Sequence, residues 1–262
     1  MRATEESVFD RQLLLDELNS GWVQVWYAFP IQIRPEWLLG RTNVLSADEQ
    51  DRAKRFHFDR DRLHYVAAHL LLRDSLARYV DSNPQALQFQ KSEFGKPFLS
   101  KPEVKGPLEF NLTHTQGLVA CAVSRTRVGI DAEFVDRIFD DTFSKWVMAE
   151  HERQDLQQYA DQSRTIRLLE CWTLKEAYLK AKGVGLSQSL DSFSFVRKND
   201  GYQLQLNESH LDSSLKWQFH LESMLSPKHI MSIAQERTES MASAKLEIRF
   251  HNCTKVLGCP LA

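Results

Sequence analysis

A chain of 262 residues, 42% hydrophobic and 26% charged, can bury a core of its own and is not disordered over its length. Its 33 basic and 35 acidic residues leave a formal charge of -2, so no global field draws it to nucleic acid or an anionic membrane, and any anion site has to be local. No run approaches the ~20 apolar residues of a membrane span, and Met1 to Asp10 carries Glu5, Glu6 and Asp10 in place of a basic, apolar signal segment, which predicts a cytoplasmic protein. Cys121 and Cys171 lie in apolar runs, and Cys253 and Cys259 stand too far apart for a zinc knuckle, so neither disulfide nor zinc site is expected.

In chain order, Ser46 followed three residues later by Glu49 has capping-box spacing and predicts a short helix to Phe58. Apolar residues at Leu63, Val66, Ala67, Leu70, Leu71, Ala77 and Val80 predict a long helix over 59–80, ended by Asn83 and Pro84. Strand candidates at Leu87 to Gln90 and Leu108 to Leu112 flank the Gly95-Lys96-Pro97 turn and the loop from Lys101 to Pro107. Gly117 to Ser124 and Val128 to Phe134 are β-rich runs parted by Arg125, Thr126 and Arg127, which predicts a hairpin.

Helices are predicted over 141–159 and 163–182, with Gly183 suited to a left-handed C-cap, and strands over 193–197, 202–206, 217–221 and 229–234. Helices then strands, twice over, predict an α+β chain of two similar halves, 1–127 and 128–238, each with helices packed on a small antiparallel sheet. Residues 239–262 form an extension without a clear partner, with a strand candidate at Lys245 to Phe250 and a frayed tail.

Strand alternation puts Asp131 and Glu133 of Gly129-Ile130-Asp131-Ala132-Glu133 on one face, with Ile130 and Ala132 facing packing. Two carboxylates on one face are hard oxygen ligands of the kind magnesium takes together with substrate phosphates and water, and they equally suit a solvated strand face. Glu176 and Lys180 stand one helical turn apart, a spacing also common in surface ion pairs. In Phe110-Asn111-Leu112-Thr113-His114, the hydroxyl and imidazole could donate to phosphate oxygens, or Asn111 and Thr113 could bond their own backbone. Gly183 and Gly185 make no phosphate loop, because no strand precedes them and no helix follows.

Taken in order, Gly95-Lys96-Pro97, Phe110 to His114, Gly129 to Glu133 and Trp172-Thr173-Leu174-Lys175-Glu176-Ala177-Tyr178-Leu179-Lys180-Ala181-Lys182-Gly183-Val184-Gly185-Leu186 resemble the signature series of the Sfp-type 4′-phosphopantetheinyl transferases, over about Leu45 to Ala234. The resemblance implies transfer of the phosphopantetheine arm of coenzyme A to a serine hydroxyl of an apo acyl, peptidyl or aryl carrier protein, releasing adenosine 3′,5′-bisphosphate. It implies magnesium, or manganese in its place, held by Asp131, Glu133 and Glu176. It implies catalysis by Glu176, Lys180 and Asp131, with Glu176 taking the serine proton directly or through a metal-bound water, and Lys180 as the alternative base.

The same resemblance implies coenzyme A contacts from Arg52, Lys96, Pro97, Thr113, His114, Lys175 and Lys180, with Arg55 and Arg73 as further 3′-phosphate candidates and His64 and His69 as substitute donors. Glu49 departs from the pattern, standing where some relatives carry a lysine. A monomer with its site in the cleft between halves is expected, and Phe139, Phe143, Trp146 and Val147 are the carrier-docking candidates, although an aromatic stripe at helical spacing suits a core as well. A noncatalytic coenzyme A or carrier-binding module and a magnesium-dependent hydrolase of coenzyme A are the competing classes. The intact carboxylate set argues against the first.

Overall fold

The computed structural model describes residues 10–80, 82–137, 139, 141–198, 201–206, 216–238 and 245–258. Helix α1 (Arg11–Asn19), capped by the Asp10 carboxylate on the Gln12 and Leu13 amides, leads into strand β1 (Val23–Ala28). Helices α2 (Pro35–Gly40), α3 (Ala47–Lys54) and α4 (Asp59–Ala77) follow. The expected capping box is present: Ser46 Oγ accepts from the Glu49 amide and the Glu49 carboxylate accepts from the Ser46 amide. Strands β2 (Gln88–Lys91), β3 (Pro97–Lys101), β4 (Glu109–Thr115), β5 (Leu118–Ser124) and β6 (Val128–Phe134) come next.

The predicted helix over 141–159 is two helices, α5 (Asp141–Val147) and α6 (Glu150–Leu156), because the Glu152 carboxylate accepts from the Ala149 amide and starts a new helix there. Helix α7 (Asp161–Lys182) ends on Gly183 with φ +71°, the left-handed cap expected. Strands β7 (Phe193–Lys198), β8 (Gly201–Leu206), β9 (Trp217–Glu222), β10 (His229–Glu236) and β11 (Ile248–Asn252) and a short helix, Thr254–Leu257, complete the described chain. No described helix is long and apolar enough to cross a membrane. Cys121, Cys171 and Cys253 are free and buried, and Cys259 lies outside the described residues.

The first sheet has the order β11-β1-β5-β4 and the second β6-β10-β9, with β2-β3 and β7-β8 as separate antiparallel pairs. The hairpin expected between 117–124 and 128–134 is therefore corrected. Both edges of β5 are taken by β1 and β4, and β6 pairs with β10 in the other sheet. The true hairpin is β4-β5, turning at Gln116 and Gly117, where Gly117 has φ +82°. The last strand has a partner after all: β11 lies parallel to β1, pairing Val23 with Ile248 through Tyr27 with Asn252.

Alternation in β1 and β5 gives the first sheet two buried faces. Trp26, Val119, Cys121 and Val123 pack with Val66, Leu70 and Leu71 of α4, while Val23, Val25, Tyr27, Ala120 and Ala122 meet Val128, Ile130, Ala132, Met231 and Ile233 of the second sheet. The other side of the second sheet is covered by α7. At Gly129 a Cβ would sit 2.0 Å from the Ala177 carbonyl oxygen, so only glycine lets the helix lie so close to β6. The facing edges of β4 and β6 are joined by side chains: the Ile130 amide donates to Asn111 Oδ1 at 3.0 Å and the Ala132 amide to Thr113 Oγ1 at 3.2 Å. Those bonds satisfy backbone groups that no strand ladder reaches.

Candidate active site

The alternation along β6 carries Ile130 and Ala132 into the core between the sheets and turns Asp131 and Glu133 toward α7. Both carboxylates are buried, with 6% and 9% of their surface exposed. Asp131 Oδ1 accepts from Lys180 Nζ at 2.6 Å and from Thr113 Oγ1 at 3.3 Å, whereas its Oδ2 is buried with no hydrogen-bond partner. Burial pushes the Asp131 acid above its ordinary value, against the pull of Lys180. Glu133 Oε1 accepts from Trp172 Nε1 at 2.9 Å and from the Arg137 guanidinium at 2.7 Å.

Glu176 lies on the α7 face that looks at this strand. Burial first, then the charges of Asp131 and Glu133, push its acid up to about 7 despite Lys180. Lys180 does not close on Glu176 in the way its spacing suggests; it reaches across to Asp131 and the Ile130 carbonyl. Three anionic oxygens thus feel one another around an unpartnered buried oxygen, a hard donor set whose chemistry suits magnesium. The carboxylates are not gathered into a cage, since among the described residues no three His, Cys, Asp or Glu side chains converge closely enough to hold an ion. Asp131 is engaged by Lys180, and Glu133 by Arg137 and Trp172.

His114, at the end of β4, lies near the basic side chains Lys180, His64, His69 and Arg52. Loss of hydration, then the charges of Lys180, His64, His69 and Arg52, hold its imidazole below the usual value. Arg52 lies over the Tyr65 ring at 5.7 Å, and with Arg55, Phe56, Asp48 and Asp51 it lines a surface hollow at α3. Thr113 is buried, its hydroxyl between the Ala132 amide and Asp131.

Several expected contacts are corrected. Lys175 is fully buried on the far side of α7, with its ammonium 2.6 Å from Glu152 and 2.8 Å from each of the Val147, Leu190 and Phe193 carbonyls, so it is turned away from Asp131 and Glu133 and has no exposed surface to offer a ligand. Arg73 is buried too, donating to Glu49 at 2.8 Å and to the Pro84 and Leu87 carbonyls. Glu49 is the reason: burial favours its acid form, yet hydrogen bonds from His69, Arg73 and the Ser46 amide bring it down to about 2. Lys96 donates to Glu109 and to the Val128 and Ala181 carbonyls, and Pro97 opens β3 beside it. Val147 is core, not surface, and of its aromatic neighbours Phe139 and Phe143 are partly buried while Trp146 is 48% exposed.

Sequence reasoning missed Glu152, the counter-charge of Lys175, and Arg137 and Trp172, the partners of Glu133. Arg137 gives no signal in one dimension, because spacing of four means proximity only on a helix and here it spans a strand end and a turn.

Two family models divide the chain between them. The one described as the 4′-phosphopantetheinyl transferase superfamily matches residues 127–234, and the one described as 4′-phosphopantetheinyl transferase, N-terminal, matches residues 32–126. The transferase HetI of Nostoc sp. is 34% identical over 173 residues, covering 65% of this chain and 73% of that protein. A 4′-phosphopantetheinyl transferase of Bacillus subtilis is 30% identical over 169 residues, covering 64% and 73%, and Sfp of Bacillus subtilis strain 168 is 28% identical over 175 residues, covering 66% and 76%. With a carboxylate face, an adjoining cation group and a match along both halves, the chain belongs to the Sfp-type 4′-phosphopantetheinyl transferases.

Proposed function

We propose that this enzyme transfers the 4′-phosphopantetheine arm of coenzyme A to a serine hydroxyl of an apo acyl, peptidyl or aryl carrier protein, with magnesium held by Asp131, Glu133 and Glu176. The observation that carries the reading is the buried, unpartnered Asp131 Oδ2 set beside Lys180 and opposite Glu176. When bound, the metal supplies Lewis-acid polarisation of the pyrophosphate and a template for its oxygens.

The chain's own groups do the rest. Residues 1–127 form the nucleotide side, where His114, Arg52, His64 and His69 offset phosphate charge, and residues 128–238 carry the carboxylates. Lys180 is placed to follow negative charge from Asp131 to the pyrophosphate. Glu176, on the α7 face turned toward Asp131, accepts the serine proton as the oxygen attacks the β-phosphate. The departing product is adenosine 3′,5′-bisphosphate. The carrier docks beside the exposed Trp146, against the aromatic cluster that Trp146 forms with the tilted rings of Phe143 and Trp172.

Incubation with magnesium, coenzyme A and an apo carrier protein, followed by mass spectrometry of the carrier, tests the reading. A carrier gaining one phosphopantetheine group is the expected result. Coenzyme A cleaved with no gain on the carrier would mean hydrolysis, and binding without turnover would mean a noncatalytic module.

A further inference from the structure

Lys96 stands in the turn between β2 and β3 of the first half, where the family resemblance expects a nucleotide contact. Its ammonium instead points into the protein, donating to Glu109 Oε2 at 3.0 Å, to the Ala181 carbonyl at 3.1 Å and to the Val128 carbonyl at 3.4 Å. An ammonium has three protons, and these three acceptors engage all of them. Ala181 lies in the last turn of α7, where the final carbonyls lack partners within the helix and the helix end is negative. A cation arriving there from another element completes the helix end.

The local backbone is built around this contact. Gly183 ends α7 at φ +71°, and a Cβ on it would lie 3.1 Å from Lys96 Cδ, so the bare glycine leaves the channel that the lysine chain occupies. Val128 opens β6. One ammonium therefore touches both the strand carrying Asp131 and Glu133 and the helix carrying Glu176 and Lys180, while Glu109 tethers it to β4 of the first half.

We infer that Lys96 is a positioning residue: a helix cap supplied by the first half, which sets where β6 and α7 stand against the nucleotide side of the cleft. Its ammonium acts through Glu176, Lys180 and Asp131, being committed to Glu109 and to the Val128 and Ala181 carbonyls. The inference rests on the transferase reading given above.

The test uses the full chain with Lys96→Met, which keeps the aliphatic length and removes the ammonium, and with Lys96→Arg as the conservative rescue. The expected result is a fall in kcat of about tenfold, with KM for coenzyme A and the calorimetric affinity for adenosine 3′,5′-bisphosphate within about twofold of the parent, and recovery of most of kcat in the arginine variant. Amide hydrogen exchange at residues 181–184 should quicken in the methionine variant. A loss of nucleotide affinity in step with kcat/KM, or an unchanged kcat, overturns the inference. If Lys96→Met does not fold, Lys96→Gln, which is neutral and able to donate to one carbonyl, is held to the same criteria. A parent protein that transfers nothing defeats the transferase reading, whereas an active parent whose Lys96 variants lack the kcat-against-KM split defeats only the role of Lys96.

Discussion

Glu176 and Lys175 are neighbours in sequence and opposites in environment. Glu176 is buried and faces two other carboxylates, so burial first and then their charge raise its acid from an unfolded value near 4.5 to about 7. The ionised form is therefore disfavoured in the folded protein, and the cost builds as pH rises from 4.5 through 7. Glu176→Gln removes that cost. Without added metal, the variant should be more stable than the parent by on the order of 2 kcal/mol at pH 8, with little difference at pH 5, as read by urea denaturation. Equal effects at both pH values would show that this acid is not raised in the folded protein. Lys175 is held by Glu152 in a site from which water is excluded, and removing one partner strands the other charge. Lys175→Met should cost about 3 to 5 kcal/mol of stability, seen as a lowered Tm, while the KM for coenzyme A of the folded fraction is unchanged. A raised KM with unchanged Tm would return Lys175 to the substrate site.

The contact between β6 and α7 joins the two elements that carry the carboxylates. Gly129 is the residue that permits it, since an added Cβ would lie 2.0 Å from the Ala177 carbonyl oxygen and 2.5 Å from the Ala181 nitrogen, both backbone atoms that cannot turn aside. Gly129→Ala should push the helix off the strand, destabilise the protein by about 3 kcal/mol or more, and depress kcat in the fraction that folds. Thermal melting and steady-state kinetics check both effects, and an alanine variant with normal stability would mean that the contact yields. The helix-end signals were readable at this level: Ser46 with Glu49, and Gly183, are each a short pattern whose partners lie within a few residues. The supposed hairpin of β5 with β6 was not, because Arg125 to Arg127 marks a change of direction without saying which strand comes next to which.

Across the whole molecule the halves share a core. Val23, Val25 and Tyr27 of the first sheet pack with Ile130, Met231 and Ile233 of the second, and Asn111 and Thr113 bond the β6 backbone across the gap. The halves should therefore unfold together, giving a single calorimetric transition whose enthalpy equals the van't Hoff value. Two resolved transitions would contradict a common core. Removal of residues 245–262 takes away β11, uncovers the edge of β1 and deprives the α4 side of Cys253 and Leu257, so the shortened chain should melt at lower temperature and associate more readily.

Much of the geometry of the carboxylates was legible in one dimension. Asp131 and Glu133 share a face because strand side chains alternate, and Glu176 with Lys180 because helix turns repeat, and neither statement needs a third dimension. Their order along the chain was enough for the family resemblance. Folding decided which positive groups serve the site and which serve the core. Lys175 and Lys180 both sit on α7, five residues apart, yet the helix rotates one into Glu152 and three carbonyls and the other onto Asp131. Arg73 goes to Glu49 and Lys96 to the end of α7, while Lys180, His64, His69 and Arg52 come near His114 from three separate stretches of chain. A cation's role follows from the nearest buried acceptor, and that acceptor comes from a distant part of the chain, which no local pattern records.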